Sequence, residues 1–99
     1  MEIKVGLITE SFTQNEYKQQ IKSEKITYVY GIKKSIGSKE FFNAGQRGLK
    51  AEFVAEINSF EYNGEKNVEI GGCKYTVYRT YTNKNEKIEL YLTERNGNG

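Results

Sequence analysis

The sequence predicts an all-β, mainly antiparallel fold: about six short strands and one short helical insert, arranged as a small barrel or sandwich. Three observations carry this. Apolar residues recur at spacing two in several short runs, polar Asn- and Gly-containing turns separate those runs, and only residues 38–50 break the alternation. There is no proline. No internal repeat and no shift in composition marks a second domain. Residues 1–94 are therefore expected to form one domain, with 95–99 as a flexible tail that has nothing to bury.

Ile3, Val5 and Leu7 alternate with Glu2, Lys4 and Gly6, the period of a half-buried strand, and the pattern fades near Phe12. Residues 13–24 are polar, broken only by Tyr17 and Ile21. They read as a long mobile loop in preference to a weakly paired extension of the flanking strands. Ile26, Tyr28, Tyr30 and Ile32 recur at spacing two, with Thr27 and Val29 on the opposite face, and define a better supported second strand ending near Ser35.

Phe53, Ala55 and Ile57 form a third strand, followed by an Asn63-Gly64 turn at which the chain is expected to reverse. A two-residue turn at Gly71-Gly72 pairs Ile70 with Cys73 and Val68 with Tyr75. All four then share one face, an agreement between turn length and apolar register that a one-residue slip would destroy. The strand from Cys73 runs through Val77 to Tyr81. After a polar reversal at 82–87 comes a last strand in which Ile88, Leu90 and Leu92 face inward.

Composition narrows the function classes. Fifteen basic against thirteen acidic side chains is too even a balance to make nucleic-acid binding the default. Residues 1–50 hold nine basic and five acidic side chains and residues 51–99 hold six and eight, an asymmetry that suits head-to-tail association through oppositely charged faces and equally fits a chance fluctuation over a solvated surface. Cys73 is the sole cysteine, which excludes an internal disulfide and fits intracellular synthesis. The start of the chain lacks a signal-peptide pattern, and no run approaches the roughly 20 apolar residues of a membrane span, so a soluble protein is expected.

Histidine is absent, which removes the commonest general base and the usual nucleophile and zinc arrangements. Cys73 reads as a small buried hydrophobe. Glu61, Glu65 and Glu69 match no calcium-loop spacing and read as solubilising carboxylates around a turn. No catalytic residue, metal site or cofactor is expected, and no small-molecule substrate. Tyr28, Tyr30, Lys33 and Lys34 on one side, with Tyr75, Tyr78, Arg79 and Tyr81 on the other, could form a base-stacking surface, although tyrosine-rich strands more often pack and pair.

The insert at 38–50 carries a more specific signal. Ser38 can cap a short helix, Glu40 complements its N-terminal dipole, and Gly45 or Gly48 can end it in the left-handed conformation. Phe41 and Phe42 point about 100° apart on such a helix, so one of them is expected to serve a second surface.

Several motifs occur in a telling order. They are Ser38, Glu40-Phe41-Phe42, Ala44 and Gln46, then the Phe53 strand, the Tyr62 turn, Val68-Glu69 with the hairpin from Gly72 to Tyr75, and Ile88-Glu89-Leu90. In this order and spacing the chain resembles the head-closure, or head-tail joining, proteins of tailed bacteriophages. The resemblance runs from about Gly6 to Glu94. It implies a compact β-barrel that assembles as a sixfold or twelvefold ring at the virion neck, between the portal-bound adaptor and the tail. Such a ring retains packaged DNA and offers a tail-docking surface.

It further implies that the segment near 37–52 projects toward the channel. Lys39, Arg47 and Lys50 could then meet DNA phosphates or acidic neighbours, and Phe41 and Phe42 could bury against adjacent subunits, with Gln46 in the same assembly segment. That segment is expected to be mobile until assembly. A small nucleic-acid-binding barrel and a tail-completion or tail-terminator component are the alternatives.

Overall fold

Six strands close into a barrel in a computed structural model that describes residues 1–94. They are β1 (Glu2–Gln14), β2 (Gln20–Lys34), β3 (Ala51–Asn58), β4 (Asn67–Ile70), β5 (Cys73–Thr82) and β6 (Lys87–Glu94), with one helix, α1 (Ser38–Gln46), between β2 and β3. The order around the barrel is β1-β2-β3-β6-β5-β4, with every pairing antiparallel. The expected all-β fold is therefore a barrel and not a sandwich. The tail at 95–99 lies outside the described residues.

The core follows the inward face of each strand. Val5, Leu7, Ala55, Ile57, Val68, Leu90 and Leu92 are almost completely buried, and Phe53, Ile88 and Val29 nearly so. Tyr75 joins them edge-on to Phe53, with ring centroids 5.0 Å apart. The β4–β5 hairpin has the expected register, Val68 opposite Tyr75 and Ile70 opposite Cys73, and both turn glycines take positive φ (60° and 84°). Cys73, however, is exposed. It sits where β5 begins, and an inward register alone does not bury a residue at the end of its strand.

Residues 13–24 are not a loop. β1 and β2 stay paired from Glu2↔Ile32 out to Gln14↔Gln20, leaving only a tight turn. In that turn Asn15 Oδ1 accepts hydrogen bonds from the Tyr17 and Gln19 amides, both at 2.9 Å, and Lys18 takes φ 61°. Beyond Ile8 of β1 no pairing to β4 is formed, and β2 pairs with β3 only at Ile32, Lys33 and Lys34. The result is a two-stranded arm, which with the barrel gives a longest dimension of 51 Å against 30 and 23 Å.

The apolar alternation of β2 also faces the other way from a core strand. Val29 and Gly31 point inward and are buried, while Tyr28, Tyr30 and Ile32 lie on the outer face and are exposed. Gly31 explains the inversion: a Cβ there would lie 2.6 Å from the Glu56 carbonyl oxygen and 2.7 Å from Ile57 Cγ2. Ile57 fills from β3 the space that a β2 side chain would otherwise take.

The Asn63-Gly64 turn forms, with Gly64 at φ 84°, but it does not fold β3 back onto β4. These strands are not neighbours, so the turn lies in a crossing between them. Tyr62 is packed against the core and donates its hydroxyl to the Glu65 carbonyl at 2.6 Å.

Candidate functional site

α1 is a helix of nine residues. Its N-cap is Gly37 and not Ser38, and no side chain caps it; Ser38 is already the first helical residue. At the other end Gly48, at φ 77°, lets the Leu49 amide donate to the Ala44 carbonyl (2.9 Å) and the Gly48 amide to the Gly45 carbonyl (3.0 Å). This pair of hydrogen bonds around a left-handed glycine is a Schellman closure.

The helix packs on β3, but the way it is oriented is unusual. Ala44 is its one buried residue. Phe41 and Phe42 are 51% and 67% exposed, so both, and not one, serve the outer surface. Lys39, Gln46, Arg47 and Lys50 are exposed as well. All six residues expected to make contacts are thus brought together on a single solvent-facing segment.

What turns inward is Glu40. Its Oε1 accepts from Arg79 Nη2 at 2.6 Å, and its Oε2 accepts from the Tyr78 hydroxyl at 2.8 Å. A bulge makes this possible. Between Val77↔Leu92 and Arg79↔Tyr91 the β5–β6 register shifts, with Tyr78 as the extra residue. Without the shift Tyr78 and Arg79 would project to opposite faces; with it, both reach the same carboxylate.

The network continues across the outer face of the sheet. Arg79 stacks on Tyr91, 3.9 Å from the ring centroid, and the Tyr91 hydroxyl donates to Glu89 at 2.8 Å. Lys34 at the end of β2 bridges Glu89 (3.3 Å) and Glu56 (2.7 Å). The Arg79 guanidinium holds the Glu40 carboxyl below its ordinary pKa, with the Tyr78 hydroxyl acting in the same direction against partial burial. Burial, then the hydrogen bond to Glu40, pushes the Tyr78 hydroxyl well above the usual tyrosine value. The Lys34 ammonium is raised chiefly by its bond to Glu56.

Comparison with protein-family models, curated proteins and solved structures finds no significant match. The chemistry of the surface therefore carries the reading of function.

Much of the base-stacking surface considered from sequence is already committed. Tyr75 is in the core, Tyr78 and Arg79 bind Glu40, Lys34 binds two carboxylates, and Lys33 lies over the Phe53 ring at 4.6 Å. Tyr28 lies under the Lys4 ammonium and donates its hydroxyl to Glu69 at 3.1 Å. Tyr30 and Tyr81 remain open on the surface.

Glu61 accepts from Asn58, and Glu65 from the Asn63 amide. With Glu69 bound to Tyr28, these three carboxylates each serve a local contact. Among the described residues no cluster of three or more Cys, Asp and Glu side chains is arranged to hold a metal ion. No helix among them is long and apolar enough to cross a membrane.

The Tyr78–Arg79–Glu40 contact was not legible as a unit. One signal was present: inward Val77 is followed directly by a second large residue, Tyr78, after which Thr80 and Thr82, exposed themselves, pair with inward Leu90 and Ile88. A break of this kind in a period-two pattern marks a bulge.

Proposed function

We propose that this chain is a structural virion protein of a tailed bacteriophage or prophage, a head-closure subunit that forms a ring below the portal-adaptor complex. In that role it retains packaged DNA and presents the tail-docking surface. Its partners are further copies of itself, the adaptor and tail proteins, with non-specific contact to packaged DNA. Its place is the virion neck, after synthesis in the host cytoplasm.

One observation carries the reading. Lys39, Phe41, Phe42 and Gln46 on α1, and Arg47 and Lys50 just past its end, are all turned to solvent, while the inward side of the helix is held through the Glu40 carboxylate. Two neighbouring exposed phenylalanines among exposed cations make poor solvent-facing surface and good contact surface. The β1–β2 arm leaves the barrel from the end of β2 farthest from α1, so the chain offers dissimilar features at its two ends, as a heterologous ring contact requires.

Deletion of the gene from its phage tests the proposal directly. Filled heads that leak DNA and lack tails are expected; normal tailed particles would overturn it. Electron microscopy of the purified chain mixed with portal-adaptor rings then reads partner, position and symmetry together.

A further inference from the structure

We propose that Glu40, Tyr78 and Arg79 form a latch that fastens α1 to the barrel, and that breaking it frees the helix as a unit while the barrel stays folded. The latch is a property of this chain on its own and stands whether or not the chain is a virion component.

Three features point to it. First, the helix has little else holding it. Ala44 is its only buried residue, and open clefts flank it: one of about 410 Å³ between Glu40, Asn43, Val54 and Tyr91, another of about 620 Å³ beside Phe41 and Phe42. Nine residues are too few to form a stable helix without tertiary support.

Second, the polar contacts converge on one side chain. Both oxygens of Glu40 are used, by two consecutive β5 residues that a bulge has placed on one face. Arg79 is itself held in place by stacking on Tyr91.

Third, glycines bound the segment. Gly37 precedes the helix and Gly48, at φ 77°, closes it. Glycine's backbone freedom lets the chain change direction at both ends of the segment.

Opening would uncover the outer face of β3 at Val54, which is only 4% exposed in the closed form, together with the Tyr78 and Tyr91 rings. The latch thus governs access to a second apolar surface as well as the position of Phe41 and Phe42.

Amide hydrogen exchange on the isolated full chain, resolved by residue, tests this. The amides of 41–46 report on the helix, and those of Leu90 and Leu92 in β6 report on the barrel. Glu40→Ala is expected to speed exchange in the helix roughly ten- to a hundredfold while β6 is unchanged. Alanine favours helix, so faster exchange cannot come from lost propensity. Arg79→Ala should reproduce the effect, and the double substitution should add little to either single one.

Equal acceleration in β6 would overturn the latch, because Glu40 would then support the whole fold. Unchanged exchange in the helix would also overturn it. Either result would leave the virion phenotype of a gene deletion unaffected, so this proposal and the connector reading fail separately.

Discussion

At the scale of single residues, two positions turn local geometry into measurable quantities. Glu40 has a folded pKa below its ordinary 4.5, chiefly through Arg79. Its contribution to helix docking is therefore complete above pH 4.5 and is lost as pH falls through the lowered folded value. An NMR titration of the side-chain carboxyl should give a midpoint below 4.5, and Arg79→Ala should move it back upward. A wild-type midpoint at or above 4.5 would contradict the observed pairing.

Gly31 and Gly6 differ instructively. At Gly31 an added methyl meets backbone, the Glu56 oxygen at 2.6 Å, whereas at Gly6 it meets the side chains of Ile26 and Tyr28, each at 2.8 Å. Side chains can shift and a paired strand cannot. Gly31→Ala should cost about 1–3 kcal/mol in urea denaturation, and Gly6→Ala clearly less.

At the scale of elements, the β1–β2 arm shows what alternation does and does not reveal. Period two is visible where one face is buried and the other wet. Beyond Ile8 neither face of the arm meets the barrel core, so Thr, Ser, Gln, Glu and Lys make up most of both faces, Phe12 and Ile21 are left exposed, and the strands read as loop. In β2 the pattern was visible, but its apolar face is the outer one, because the core volume at Gly31 belongs to Ile57. By contrast the inward faces of β3 and β6 and the register of the β4–β5 hairpin were legible, since their large residues are the ones the core uses, although Cys73 at the hairpin is exposed. Of the candidate site, the short helix within 38–50 was legible. The Glu40 anchor was not, because it depends on a bulge in a strand some forty residues away.

The same geometry predicts that the arm is dispensable for folding. Every residue of the main core cluster lies outside 9–25. A two-stranded ribbon adds little stability of its own. Replacing residues 11–23 with a two-residue turn should shift the thermal midpoint by no more than a few degrees, read by circular dichroism. A large loss would mean that the arm supports the barrel.

At the scale of the whole molecule, the large apolar residues buried in the barrel and those exposed on α1 are separate sets. β6 sits between β3 and β5, and Leu90 on it is completely buried, so Leu90→Ala should cost about 2–5 kcal/mol in urea denaturation. Phe42 is as large and apolar, yet it is 67% exposed and its helix is held through Glu40. Phe42→Ala should therefore change stability by no more than about 0.5 kcal/mol. If the exposed face of α1 is an assembly surface, the same substitution should abolish incorporation into portal-adaptor rings, scored by electron microscopy on protein shown to be folded. A variant that is fully stable and still assembles would remove Phe42 from the contact. One that loses several kcal/mol would place Phe42 in the fold instead, and the outward helix face would no longer be free to receive a neighbour.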